Sequence, residues 1–204
     1  AKQEIIRRHF RYKCEYAMGL ADSETVDKVD RIMSALNIRE TDRKTVLHAR
    51  KAADECQIEK KSKDGIYRGA SIELKNGNIV TGKNSSHFHA SASLVLNAIK
   101  ELAGIPDKIH LLLPQIIESI QEFKGGILKS KTSCLDLEET LTTLCISALT
   151  NPSAKIAIEK LHELRRCDMH MTHLPSSGDE AFLRRLGVHL VTDPNFASRN
   201  LFFK

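Results

Sequence analysis

The stretch Thr81-Gly-Lys-Asn-Ser-Ser-His-Phe-His-Ala-Ser91 decides the fold, because a short polar strand passes there into a long apolar helix. Apolar residues recur at helical spacing as far as residue 103, and they surround so much of that helix that it should be buried against a sheet. Open α/β sheets usually bind small molecules where a strand ends and a helix begins. The stretch therefore predicts a ligand cleft in an α/β layer, without naming a reaction.

Length and composition limit the size of the hydrophobic core and the number of domains. The chain has 204 residues, 41% of them hydrophobic, which is enough for a substantial core in one domain or two small ones. No apolar run approaches the roughly 20 residues that cross a bilayer, so we expect no membrane insertion. Neither an initiator Met nor a signal-peptide pattern opens the chain, and we interpret it as part of a longer protein.

Cysteine usage and charge exclude several classes of protein. The five cysteines are odd in number and never form CxxC, which predicts thiols in a reducing cytoplasm rather than a disulfide framework or a zinc ribbon. The net charge of +5 is mild. Basic clusters lack aromatic-rich strands or a recognition motif, so they are interpreted as solvated faces and no nucleic-acid partner is expected.

The order of periodic segments predicts a helical part followed by an α/β part. Three helices fill the first sixty residues, and the polar stretch Glu59–Gly65 is the best boundary. We therefore predict a helical subdomain over 1–63, packed on a three-layer α/β/α domain with a mixed sheet over 64–204. Asn76-Gly77 predicts a hairpin. The remaining predictions are strands at 66–74, 79–82, 108–113, 167–174 and 188–192, and helices at 87–103, 116–123, 136–149, 152–164 and 177–186.

The first polar cluster lies where the second predicted strand meets its helix. We predict His87 and His89 as acid/base or hydrogen-bonding groups, with Lys83, Asn84 and Ser91 as ligand contacts. The two histidines share a face only in extended backbone, so they cooperate only if the helix starts late. A helix N-terminus favours an anion and neutral imidazoles. The alternative is that Ser85 or Ser86 caps the helix while one histidine packs in the core.

The second polar cluster follows the predicted strand at 167–174. Its candidate ligand contacts are Thr172, His173, Ser176, Ser177, Gly178, Asp179 and Glu180. Ser177 and Glu180 have the spacing of a capping box, and Asp179 suits a first helical turn, so capping alone explains much of the pattern. The tight loop could also hold a phosphate or carboxylate, but Asp179 and Glu180 work against an anion and could instead hold hydroxyls or a sugar.

The nine histidines raise the question of metal binding. Asp168, His170 and His173 lie close in sequence, but on a strand residues three apart face opposite sides. Neither HExxH nor paired CxxC motifs occur. We expect no metal and no cofactor.

Several motifs resemble one bacterial family. They are Lys2-Gln-Glu-Ile-Ile-Arg-Arg-His9, Asp64-Gly-Ile-Tyr-Arg-Gly-Ala70, Val80-Thr-Gly-Lys-Asn-Ser85, Leu96-Asn-Ala-Ile-Lys100, Glu139-Thr140, Thr150-Asn-Pro152 and His173-Leu-Pro-Ser-Ser-Gly-Asp-Glu180. Together they are similar to the C-terminal half of the family known as domain of unknown function 1846, also called uncharacterised protein family 0371. The resemblance implies a longer protein, whose N-terminal part usually carries a phosphate-loop-like sequence that is absent here.

The order of elements also resembles the cytidine deaminase-like fold. In that fold, His-Ala-Glu and Pro-Cys-x-x-Cys bring zinc and a general acid/base together. The corresponding residues here are His89-Ala90-Ser91 and Pro114-Gln115-Ile116-Ile117, so the glutamate and both cysteines are missing. This departure argues against zinc-dependent deamination.

Two functions of different classes remain open. The first is a metal-independent domain that binds or transforms a small polar or anionic metabolite, nucleotide-like or phosphorylated. The second is a non-enzymatic regulatory or oligomerisation module for the missing N-terminal domain. A homo-oligomer is compatible with either.

Overall fold

A computed structural model describes residues 1–60, 67–130 and 132–196. Within these ranges the chain is a mixed α/β structure of eight α-helices and a four-stranded sheet. Short 3-10 turns at Glu40–Asp42 and Leu161–Leu164 and a π-helical turn at Phe123–Ile127 interrupt the regular elements. The elements in chain order are α1 (Lys2–Ala17), α2 (Ser23–Ala35), α3 (Lys44–Ile58), β1 (Gly69–Glu73), β2 (Ile79–Lys83), α4 (Ala90–Ala103), α5 (Pro114–Glu122), α6 (Leu137–Ser147), α7 (Pro152–Glu159), β3 (Asp168–Met171), α8 (Ser177–Leu186) and β4 (His189–Thr192).

The sheet has the strand order β2-β1-β3-β4. Strand β1 is antiparallel to both β2 and β3, whereas β3 and β4 are parallel and are joined through α8. Gly77 has a φ of +86°, which supplies the left-handed residue that the turn between β1 and β2 needs. The mixed sheet and the predicted hairpin are therefore confirmed.

Two glycines show how closely helices cover opposite faces of the sheet. A Cβ on Gly69 would overlap the carbonyl oxygen of Ala49 in α3, and one on Gly82 would overlap the backbone of Leu94 in α4. Helix α3 is therefore one outer layer, and α4 lies in the other. The third helix of the predicted helical segment therefore itself supplies one layer over the sheet.

The boundary predicted at 59–65 falls mostly on residues outside the described ranges. The division into units 1–63 and 64–204 therefore stays a prediction. The large core lies on the α4 side of the sheet, where buried residues of α4, α6, α7 and α8 meet β1 and β3. A smaller cluster joins α1, α2 and α3 to β4 through residues such as Ile6, Phe10, Met33, Val46 and Val191.

The predicted strand at 108–113 is wrong. The structure has turns there, although Leu111 and Leu112 are buried as predicted. The side-chain amide of Asn151 donates to the carbonyl oxygens of His110 and Leu111 at 3.0 and 3.3 Å, so these acceptors are satisfied without a partner strand. A cytidine deaminase-like fold calls for a strand before Pro114, and the likeness to that fold stays a prediction.

None of the helices in the described ranges combines the length and the apolar character that spanning a bilayer demands. No disulfide joins any cysteine in these ranges.

Candidate functional site

Helix α4 starts later than predicted. Its N-cap is His89, in extended conformation with φ −64° and ψ 156°, and no side chain caps the helix. Ser85 does not cap α4 but accepts hydrogen bonds from the backbone N–H groups of His87 and Phe88 at 3.2 and 3.1 Å. The alternative that Ser85 or Ser86 caps the helix is therefore wrong.

Residues 87–89 are held in extended conformation by Leu135. The N–H of His89 donates to the carbonyl oxygen of Leu135 at 2.9 Å, and the N–H of Leu135 donates to that of His87 at 2.7 Å. The late helix start puts both histidines in extended backbone, which was the condition for their cooperation. Their rings nevertheless have different partners: His87 Nδ1 lies 3.2 Å from Gln121 Oε1, and His89 Nδ1 lies 2.9 Å from Asp179 Oδ2.

The carboxylate of Asp179 is held by three donors. The N–H of Leu137, at the start of α6, donates to Oδ1 at 2.9 Å. The hydroxyl of Ser176 and Nδ1 of His89 each lie 2.9 Å from Oδ2. Asp179 belongs to the first turn of α8, whose N-cap is Ser176. One carboxylate therefore ties together the first turns of α4, α6 and α8.

Hydrogen bonds keep Asp179 ionised although its side chain is only 3% exposed. Burial acts to raise its pKa, but the hydrogen bond with His89, the attraction of that ring in its protonated form, and the donors Leu137 N–H and Ser176 outweigh burial, so the pKa is lowered from its ordinary value. An ionised carboxylate only accepts hydrogen bonds. The proton between the two side chains therefore resides on Nδ1 of His89.

This arrangement leaves Nε2 as the ring nitrogen of His89 that Asp179 does not engage. The imidazole side chain is 21% exposed, and Nε2 has no hydrogen-bond partner within the described ranges. A neutral imidazole with Nδ1 protonated carries its lone pair on Nε2. The pair therefore presents a fixed proton acceptor, or a hydrogen-bonding group, at the start of α4.

A second set of residues, not singled out from the sequence, borders this pair. Asp136 and Glu139 form a reciprocal capping box at the start of α6, and their Asp-x-x-Glu spacing could have been noticed. Lys124 donates to Glu139 Oε2 at 2.6 Å and to the carbonyl oxygen of Cys134 at 2.7 Å. Its place in the π-helical turn has no sequence signal. Gln121 donates to the carbonyl oxygen of Ser86 at 2.6 Å.

Three residues that were predicted as ligand contacts bond instead to other parts of the chain. Lys83 forms a 2.7 Å ion pair with Glu59. Asn84 is buried and accepts from the N–H of Arg68 at 2.8 Å. Thr172 is buried and accepts from the N–H of Gly69 at 3.0 Å.

The other predicted contacts differ in exposure. Ser91 is buried in the first turn of α4, and its hydroxyl has no partner in the described part of the chain. His173 is also buried. Ser177 is exposed and Gly178 is half-buried in the first turn of α8, while Glu180 pairs with Arg184 on the surface at 2.6 Å. The predicted capping box of Ser177 and Glu180 is wrong, because Ser176 is the N-cap of α8 and accepts from the N–H of Asp179 at 3.2 Å. Asp179 does lie in the first turn, as predicted.

The structure brings together only part of the predicted set. His89, Ser176 and Asp179 form one hydrogen-bonded cluster, and the first-turn residues Ser177 and Gly178 belong to it through α8. In the described ranges, no group of three or more His, Cys, Asp or Glu side chains is arranged to hold a metal ion.

Comparison with known proteins places this geometry in a family. Residues 41–202 match the model described as "Domain of unknown function DUF1846, C-terminal". A "UPF0371 protein" of Clostridium botulinum (strain Alaska E43 / Type E3) is 42% identical over 203 residues, and one of Clostridium tetani (strain Massachusetts / E88) is 41% identical over 204. Each alignment covers 100% of this chain but only 40% of the relative.

Proposed function

The chain belongs to the DUF1846 family, and we propose that this domain binds a small polar metabolite, nucleotide-like or phosphorylated, beside His89 without a metal. The observation that carries the proposal is the buried, ionised Asp179 holding Nδ1 of a partly exposed imidazole. A carboxylate that fixes the tautomer and orientation of a histidine is a recurring arrangement in acid/base sites. His89 Nε2 would then accept a proton or a hydrogen bond from the ligand.

The helix N-termini around the pair support an anionic group in the ligand. The positive dipole end of α4 lies at its N-cap His89, and no side chain caps the amides there. At the start of α8, Ser176 and Ser177 are exposed, and Gly178 has no side chain to block the backbone. A phosphate or carboxylate of the ligand would approach these first-turn amides, while His89 contacts its polar part.

The test is a ligand screen of the full-length protein that contains this chain. Thermal unfolding would be recorded with nucleotides, phosphorylated sugars and inorganic phosphate. A ligand present at a hundred times its dissociation constant raises the free energy of unfolding by about 2.7 kcal/mol. We expect a hit whose effect disappears in His89→Ala.

His162→Ala is the matched control, because His162 is an exposed histidine whose Nδ1 contacts only the nearby carbonyl oxygen of Glu159. This variant should respond to the hit as wild type does. If folded His89→Ala and wild type responded equally to every compound, the site would be wrong.

A further inference from the structure

A second surface lies far from His89 along the chain, on the helical hairpin of α1 and α2. A groove of about 280 Å³ runs between these helices. Its apolar lining comes from Ile5 and Tyr12 of α1 and from Val29 and Ile32 of α2. None of these residues takes part in the His89 cluster, so the groove needs an explanation of its own.

The groove is the centre of a wider apolar surface. Ile32 is 47% exposed and Leu36, one turn further along the chain, is 57% exposed; on α1, Tyr16 is 52% exposed. Helix α2 has 13 residues and buries only Val29 and Met33. Large exposed apolar patches on a folded protein mark contact sites with other macromolecules. The hairpin is thus packed on one side and uncovered on the other.

The charges at the rim favour a protein partner over an anionic one. Arg8 and Lys28 both line the groove, but Arg8 pairs with Glu4 at 3.1 Å and Lys28 pairs with Glu24 at 2.9 Å. Each of these two cations therefore has a carboxylate partner within its own helix, and Arg8 shares Glu4 with Arg7, which lies 2.9 Å from it. A surface for nucleic acid or for an anionic membrane would leave such cations available, whereas an apolar groove with a neutralised rim suits a buried protein interface.

The family comparison identifies the occupant. The model of the C-terminal DUF1846 domain starts at residue 41, after the hairpin, although the relatives align over the hairpin as well. This chain spans only 40% of those relatives. Because the matched model is the C-terminal one, the hairpin in those relatives lies between the C-terminal domain and the unmatched 60% of their length. We propose that the groove of α1 and α2 is the docking surface for that unmatched part of the same polypeptide.

The proposal is tested in the full-length protein with Ile32→Glu. Glutamate is compatible with a helix, and position 32 is half exposed here, so circular dichroism should show an intact fold. If the docked segment covers position 32, the glutamate places a charge in an apolar interface. The undocked arrangement should then be favoured by roughly tenfold or more. The region that connects the hairpin to the unmatched part of the polypeptide should then be cleaved faster in limited proteolysis, by the same factor.

Ile156→Glu is the control, because Ile156 on α7 has a similar exposure of 50%. Its cleavage rate should equal that of wild type. Equal cleavage of all three proteins would overturn the proposal. Sedimentation velocity supplies the other decisive outcome, since a wild-type dimer that Ile32→Glu dissociates would assign the groove to a second copy of the protein instead.

Discussion

Two of the histidine–aspartate pairs among the described residues use the same chemical groups in opposite surroundings. His89 and Asp179 lie 2.9 Å apart at the start of α4, and His170 and Asp193 lie 3.3 Å apart between β3 and the end of β4. The imidazole of His89 is 21% exposed, whereas that of His170 is 0% exposed. The contrast shows that solvent access, rather than the pairing itself, separates a candidate site from a structural contact.

The surroundings of the buried pair explain its role. Asp193 accepts two hydrogen bonds from Arg50, at 3.1 and 2.7 Å, and Arg50 also pairs with Glu40 at 2.7 Å. The ring of His170 packs edge-on against Phe10 at a centroid distance of 4.9 Å. These contacts join α1 and α3 to the sheet, so the pair connects layers of the fold and leaves no surface for a ligand.

Removing the buried carboxylate should have the largest effect on stability. Asp193→Ala removes the carboxylate that accepts from Arg50 and lies 3.3 Å from the buried ring of His170. Breaking a buried charged contact costs about 3 kcal/mol, the lower end of the range, because Arg50 is 39% exposed. The free energy of unfolding, measured by urea denaturation, should fall by that amount. Asp27→Ala removes an exposed carboxylate and is the control. A loss under about 1 kcal/mol for Asp193→Ala would show that the buried pair is not a structural link.

Asp179→Asn should have a smaller effect on stability and a specific one on binding. The amide places an N–H against the donors of His89, Ser176 or Leu137, which costs about 2 kcal/mol. It also releases the imidazole, so the thermal response to the ligand found in the screen should be lost. Asp193→Asn is the matched comparison and should keep that response. If both variants kept it, Asp179 would not position His89.

The pH dependence of stability should also distinguish the pairs. Burial lowers the pKa of His170 from its ordinary value of 6.5, and the nearby Arg50 and Arg43 add to this, outweighing the opposite effect of Asp193. The unfolded chain then binds more protons below pH 6.5, so His170 lowers the free energy of unfolding by up to about 1.4 kcal/mol per pH unit there. The pKa of Asp179 is lowered from 3.8, and its contribution is lost only as the pH falls below that value.

Urea denaturation of wild type and His170→Gln between pH 7 and 5.5 measures this contribution. Wild type should lose more stability than the variant over that range. His48→Gln changes an exposed histidine bonded to its own helix and should behave as wild type. Equal slopes for wild type and His170→Gln would contradict a lowered pKa.

Local signals in the sequence predicted most of the fold. The Asn76-Gly77 turn, the Pro152 start of α7 and the residues 177–186 of α8 all have short-range causes, and the structure confirms them. The prediction of a strand at 108–113 is wrong because a branched apolar run can also form a buried loop. This requires a distant amide to satisfy the carbonyl oxygens of the loop. That amide belongs to Asn151, about forty residues away, and no local pattern reports it.

The candidate site was predictable only in part for the same reason. His89 and Asp179 were both singled out, yet their contact spans 90 residues and depends on how three helices converge. The late start of α4 depends on the pairing of residues 87–89 with Leu135, which competes with the local preference for a serine cap. Lys83 ends β2 and Asn84 follows it, but Glu59 just after α3 and Arg68 just before β1 hold them as structural contacts.

The smallest expected effect concerns how α8 presents Asp179. Ser176 caps this helix by accepting from the N–H of Asp179 at 3.2 Å and steadies the carboxylate by donating to Oδ2 at 2.9 Å. Because Ser176 is exposed, water partly replaces both bonds in Ser176→Ala, and the loss should be about 0.5 to 1 kcal/mol. Ser177→Ala, one residue further along the same exposed turn, should change stability by less than about 0.5 kcal/mol. Urea denaturation of both variants measures the difference, and equal values would mean that Asp179 is held by Leu137 and His89 alone.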